Sequence, residues 1–308
     1  MACLQCSDGK KVWSKNLIKN FNGHVMEFNP GQNWGYCESP LVDGDKLICS
    51  PGGPKGTVVA LNKNTGAEIW RTKDLPDQAT NSSAVVAEFG GVRQYLQTTF
   101  KGAEGGGLAG IAAADGKVLW YAPNKRLAIY DICFTPIVKG DLVYMSSGEG
   151  AGCNLYQVGK DPNGAFVAKD LFANKNKSRL AMKNGHGGVV LVGEHLYGHS
   201  DKKWACQNWK TGAEVWDARE ELACKSGAIT SADGHLYLLS DEGEVVLLAA
   251  NPEKWDEKGR FTIPALSPTH KTRPTHQYAG VWTHPVVANG RLYVRDQELI
   301  YCYEVKKP

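Results

Sequence analysis

Eight side chains in this sequence have types suited to chemistry. Glu38 and Asp131 are carboxylates, able to take up a proton or to ligate a cation. His186 and His284 are imidazoles, whose protons move near neutral pH. With the two carboxylates they are the catalytic candidates. Trp34 and Tyr36 offer aromatic faces, and Lys101 and Lys225 offer cationic heads, for holding a planar or sugar-like ligand. No metal-ligating set stands out from the residue spacing.

Position unites these residues. Trp34, Tyr36 and Glu38 precede one short apolar run, and Asp131, His186, Lys225 and His284 stand at the threshold of four others. Lys101 follows the second run of its segment, as does Glu149 in another. A fold that brings such thresholds together would turn scattered residues into one polar pocket, and convergence is what a ligand site requires.

The positioning elements can be read from Ser39 to Trp70, SPLVDGDKLICSPGGPKGTVVALNKNTGAEIW. Four short runs rich in Val, Ile and Leu are separated by Asp-Gly and Thr-Gly turns, which predicts four antiparallel strands joined by hairpins. The first hairpin recurs, so inner hairpins are expected near residues 39–49, 83–96, 135–144, 187–197, 227–237 and 284–294. The last hairpin recurs as segments ending at Trp13, Trp120 and Trp216, each with Gly four residues before Trp. Two further copies, around Gly164 and Gly259, lack the Trp. A four-stranded unit repeating in this way is a β-propeller blade. The expected fold is therefore all-β, a propeller with about six four-stranded antiparallel blades, and residues 1–308 are read as one domain. The innermost strand of each blade lines a central channel, so the candidates would ring one mouth.

The ends of the chain look complementary. Residues 1–20 predict a third-and-fourth-strand hairpin, while 284–305 predict three strands and no fourth. The N-terminal hairpin is expected to supply the missing outer strand, which would cover an exposed sheet edge.

Composition excludes several classes. The net charge is +3 with both signs interspersed, which does not suggest nucleic-acid binding. No run of 18 apolar residues is present, so no transmembrane helix is expected. Nine cysteines are scattered along the chain, and Cys49, Cys206 and Cys302, inside apolar runs, are expected to be buried. Cys3 and Cys6 form a C-x-x-C without a second pair to complete a zinc site. Gly105-Gly106-Gly107 lacks the Lys-Ser/Thr of a phosphate loop. The start, MACLQCSDGKKVW, opens inside a strand pair and carries no signal peptide.

The segments VVALNKNTGAEIW, LAGIAAADGKVLW and WACQNWKTGAEVW resemble the pyrroloquinoline-quinone (PQQ) type repeat. The runs WGYCESPLVDGDKLICSPGG, HGGVVLVGEHLYG and HPVVANGRLYVRDQ are similar to PQQ-like propeller proteins abundant in planctomycetes. The resemblance implies an eight-bladed ring, with about two more repeats and a signal peptide before the present start. That places the protein in the periplasm or outside the cell. It also implies that the repeated Trp is a packing device.

Three functions follow as expectations. The first is a noncatalytic scaffold for a protein or glycan, or a binder of a small alcohol or sugar; the outer-membrane assembly lipoprotein with this repeat is such a scaffold. The second is a PQQ- and calcium-dependent alcohol or polyol dehydrogenase. There Glu38 or Asp131 would serve as calcium ligand or base, and Trp34, Tyr36, Lys101 and Lys225 would lie about the cofactor. The alcohol dehydrogenase branch also carries an adjacent cysteine pair, which this chain lacks. The third is a lyase or hydrolase using His186 and His284.

Overall fold

The structure is a computed structural model. It describes all residues except 28, 29, 128–131, 149, 176–181, 202, 219–225, 270–279, 307 and 308. The described chain divides into two compact units. One comprises Met1–Met145 and Asn154–Asn174, the other Ser146–Cys153 and Lys175–Pro308.

Strands β1 (Ala2–Leu4) and β2 (Lys11–Ser14) form a two-stranded sheet, followed by the short helix α1 (Leu17–Phe21). The complete blade anticipated from the sequence comes next: β3 (Leu41–Asp43), β4 (Lys46–Cys49), β5 (Val59–Asn62) and β6 (Glu68–Arg71), hydrogen-bonded in chain order. The following sheet contains β7 (Gln78–Ala79), β8 (Val85–Phe89), β9 (Val92–Phe100), β10 (Gly106–Ala112) and β11 (Val118–Asn124), with β7 and β8 both pairing β9. Then come β12 (Ile137–Lys139), β13 (Leu142–Ser147), β14 (Gly152–Lys160) and β15 (Phe166–Asp170), again in chain order.

The later sheets keep the same order. One holds β16 (Val189–Val192), β17 (His195–Ser200), β18 (Lys203–Asn208) and β19 (Glu214–Ala218). The next holds β20 (Gly227–Ala232), β21 (His235–Ser240), β22 (Glu244–Ala249) and β23 (Glu257–Thr262). The last holds β24 (Val286–Ala288), β25 (Arg291–Asp296) and β26 (Leu299–Glu304). A succession of chain-ordered antiparallel sheets is the blade architecture of a β-propeller. All six inner hairpins lie where the repeat puts them, and the two copies without Trp still form outer strands, β15 and β23.

The hairpin turns explain the Asp-Gly and Asn-Gly pairs. Asp233-Gly234 (φ 48° and 72°) and Asn289-Gly290 (φ 53° and 71°) place both central residues in the left-handed region. Such a two-residue turn matches the right-handed twist of its flanking strands.

The Asn-x-x-Thr-Gly turns are held by side chains. Asn62 Oδ1 accepts from the N–H of Asn64 (3.0 Å) and of Thr65 (3.0 Å), and Asn208 does the same for Lys210 (3.2 Å) and Thr211 (2.9 Å). The Gly of the turn is a landing site for the Trp of another blade. Trp13 Nε1 donates to the carbonyl of Lys63 at 3.0 Å, and Trp70 Nε1 to that of Ala113 at 3.3 Å. A Cβ on Gly66 would come within 2.8 Å of the Trp13 ring, and one on Gly116 within 2.5 Å of the Trp70 ring. Trp120 instead bonds Gln94 Oε1 (2.8 Å) in its own sheet.

The core lies between sheet faces. In the first unit Ile48, Val58, Ala60 and Trp70 pack with Tyr95, Ala109 and Ile111 of the neighbouring sheet. In the second, Tyr197, Trp204 and Cys206 pack with Ile229, Leu236 and Val246. Each fully buried large apolar side chain contributes about 1.5–3 kcal/mol relative to exposure.

Two expectations fail. Among the described residues, β1 and β2 pair only with each other and the last sheet has three strands, so the fourth strand expected for that sheet is not there. Cys302 is exposed, unlike the buried Cys49 and Cys206. The strand β26 alternates, and its more buried face carries Tyr301 and Tyr303 while Ile300 and Cys302 face outward. An apolar run at a sheet's last strand buries only every second residue.

Candidate functional site

In the first unit, Tyr36 and Glu38 occupy the loop that leads into β3. They line a pocket of about 300 Å³ with Met1, Leu17, Pro40 and Cys49. The Ser50 N–H donates to Glu38 Oε1 at 2.6 Å, tying the start of the blade's inner strand to the end of its second. Burial pushes the Glu38 carboxyl up to about 7, against the lowering effect of the Ser50 bond. The Tyr36 hydroxyl donates to the Pro51 carbonyl at 2.8 Å, and burial raises its phenol to about 12. Trp34 is 43% exposed in the same loop.

Lys101 belongs to another group in this unit. Its ammonium lies 3.8 Å from Asp77 Oδ1 and 4.6 Å from the centre of the Tyr121 ring. Asp77 is buried and accepts from Thr99 Oγ1 at 2.5 Å and from the Tyr121 hydroxyl at 3.3 Å. Burial lifts the Asp77 carboxyl despite these partners. Lys101 is thus part of a local ion pair.

In the second unit, His186 pairs with a residue the sequence reading missed, Asp241, and His284 lies close enough to His186 to feel its charge. Asp241 follows β21 directly and accepts a short hydrogen bond from Ser226 Oγ, just before β20. His186 Nε2 lies 3.5 Å from its other oxygen, and the His186 ring sits 5.5 Å from that of Trp282. Burial pushes the Asp241 carboxyl up, but the bonds from His186 and Ser226 outweigh it and leave the group below its ordinary range. His284 lies against Gly188, and burial holds its imidazole below the usual value.

His199, also missed, belongs to the same cluster. It is 4% exposed, burial holds its imidazole down to about 4, and its charged form would feel both His186 and Asp241. Asp131, Lys225 and Glu149 lie outside the described residues.

A sequence signal for the missed residues existed. The second strand of three later blades ends in Ser-Asp or Arg-Asp, at Ser200-Asp201, Ser240-Asp241 and Arg295-Asp296. These ends lie beside the inner-strand starts because the two strands are antiparallel neighbours.

A quinone-bound calcium needs a cage of carboxylate and amide oxygens. Among the described residues, no three His, Cys, Asp or Glu come together so as to hold a metal ion. One Glu38 oxygen is held by a backbone N–H, and Lys101 is engaged by Asp77. The described residues therefore do not fit that group.

Comparison with known proteins adds a family. The PQQ_2 family model, described as "Outer membrane protein assembly factor BamB", matches residues 1–216. A protein of that name from Shewanella oneidensis is 31% identical over 96% of this chain and 64% of its own length. Another, from Yersinia pestis, is 21% identical over 77% of this chain and 58% of its own length. The chain thus spans about three fifths of the curated relatives it matches. The crystal structure of BamB from Moraxella catarrhalis superposes with a TM-score of 0.55 at 17% identity, covering 85% of this chain and 70% of that one. The β-propeller domain of Myceliophteria thermophila Cps50 (Swd1) superposes at 0.51 with 12% identity, over 87% of this chain and 85% of that one. These likenesses establish the β-propeller fold. Among the described residues, no helix is long and apolar enough to cross a membrane.

Proposed function

From the premise that the chain belongs to the PQQ-type propeller family described as outer membrane protein assembly factor BamB, we propose that it is a noncatalytic scaffold that binds a protein partner during outer-membrane protein assembly. The observation that carries this reading is the family match over residues 1–216, reinforced by 31% identity to a named assembly factor over nearly the whole chain. The proposal places the protein on the periplasmic side of the outer membrane. The one-domain reading of 1–308 rests on the unbroken run of repeats.

The site geometry favours binding over turnover. Glu38 anchors a backbone N–H, and Asp241 anchors a serine across a blade. Ser226 gives its hydrogen bond to Asp241 instead of to an imidazole, which is the wrong order for an activated nucleophile. The partner is read as a protein because the relatives that match are named outer membrane protein assembly factors. A glycan or small alcohol would be a separate ligand.

The test is a chimera. This chain replaces the aligned segment of the Shewanella oneidensis relative, in cells lacking that relative. Restored levels of folded outer-membrane proteins support the reading. A chimera that is stable and exported yet restores nothing overturns it.

A further inference from the structure

The second unit holds polar groups that the scaffold reading does not use. Three successive lead-in segments meet at one place: 184–188 before β16, Ser226 before β20, and 280–284 before β24. The first is rigidly built. Asn184, fully buried, donates from its Nδ2 to the carbonyls of His186 (2.9 Å), Gly188 (3.0 Å) and His199 (2.9 Å). Its Oδ1 has no hydrogen-bond partner among the described residues, and neither has the buried Nε2 of His199. Trp204, whose ring centre is 5.4 Å from that of His199, carries in its Nε1 a third buried polar atom with no partner among the described residues. Leaving such atoms unpaired is costly, so their clustering points to a ligand that supplies hydrogen bonds.

The neighbouring chemistry selects the ligand. Asp241 would repel an anion, and it already has His186 at the far limit of hydrogen-bond distance. A hydroxyl group can donate to the carboxylate and accept from the imidazole at once. Trp282, 43% exposed and next to His186, offers its indole ring to solvent beside these groups. An exposed aromatic plane beside mixed donors and acceptors suits a ring with one apolar face and hydroxyls around its edge.

We propose that this three-loop cluster binds a sugar ring stacked on Trp282, with its hydroxyls hydrogen-bonded to Asp241, His186 and His199. The inference goes beyond the protein-partner reading and does not depend on it. The chimera contains no sugar readout and the experiment below contains no assembly readout, so the two fail separately.

The experiment is calorimetric titration of the full chain with cellobiose, maltose and chitobiose, each up to about 10 mM. Saturable binding of at least one is expected. Trp282→Ala should weaken it at least about tenfold and Trp282→Phe less than about threefold, both with unchanged circular dichroism. Asp241→Asn should also weaken it. No saturation with any of the three, or a Trp282→Ala variant that binds as tightly as the parent, overturns the proposal.

Discussion

Before β3 a carboxylate, Glu38, receives the N–H of Ser50 just past β4. Before β20 a serine, Ser226, reaches across to a carboxylate, Asp241, just past β21. The two blades make the same bridge, from inner-strand start to second-strand end, with acid and serine exchanged. Their electrostatics are nonetheless opposite. Glu38 looks into an apolar pocket with Leu17, Pro40 and Cys49, and its proton is held up to about 7. Asp241 has a hydroxyl and an imidazole for company and stays ionised below its ordinary range. Strand topology sets where a carboxylate stands, and its neighbours set which protonation state is stable there.

The largest effect expected comes from the histidine side of this comparison. His199 is buried neutral, so below its unfolded value of 6.5 the unfolded chain takes up a proton that the folded chain refuses until about pH 4. Its contribution is fully present above 6.5 and lost as the pH falls towards 4, up to about 3 kcal/mol at 1.36 kcal/mol per unit. Urea unfolding across that range should show the slope, and His199→Gln should flatten it. An unchanged slope in the variant would remove burial as the cause.

Glu38 should behave in the opposite sense. Its raised value favours the folded state below 4.5, and that contribution is lost as the pH rises through about 7. Glu38→Gln should therefore stabilise the chain by about 2 kcal/mol near pH 8, after allowance for partial exposure, and leave it unchanged near pH 4. Thermal unfolding at the two pH values decides this; a variant destabilised at both would mean that the carboxylate–Ser50 bond outweighs desolvation.

Asp241→Asn should cost about 1–2 kcal/mol near neutral pH by weakening its bonds to Ser226 and His186. Because Asp241 is lowered, this contribution is present above its unfolded 3.8 and disappears as the pH falls further. Parent and variant should therefore converge in acid. Denaturant midpoints that stay apart there would assign the loss to packing.

Asp43 gives the smallest effect and calibrates the others. Arg93 grips it with Nε at 2.9 Å and Nη2 at 2.6 Å, and the Tyr95 hydroxyl adds a third bond at 2.7 Å. Arg93, first among these, holds the carboxyl down to about 2. Half of Arg93 faces solvent, so Asp43→Asn should cost only about 1 kcal/mol and less in high salt.

The fold was legible because its signals are local. Asp-Gly and Asn-Gly turns dictate two-residue hairpins, and alternating apolar runs dictate strands, wherever they occur in the chain. The candidate site was legible only by half. His186 was found from its place before a strand, and its partner Asp241 was missed because it lies 55 residues away, past the strand's far end. His199 looked like an ordinary strand residue, since burial depends on what packs over it. Cys302 fails for the same reason in reverse: its run is as apolar as that of Cys206, yet nothing in the sequence says which face of the last strand is covered.

The sequence by itself determined the repeat, the order of strands in each blade, the turns and the pairing of Gly with Trp. These depend on backbone conformations and spacings that act within a few dozen residues. Only the tertiary structure decided that the Glu38 carboxyl is raised while that of Asp241 is lowered, that Lys101 answers to Asp77, and that His186 and His199 come close enough to Asp241 to feel its charge. Those outcomes depend on desolvation and on charges brought close from distant parts of the chain, which no local pattern encodes.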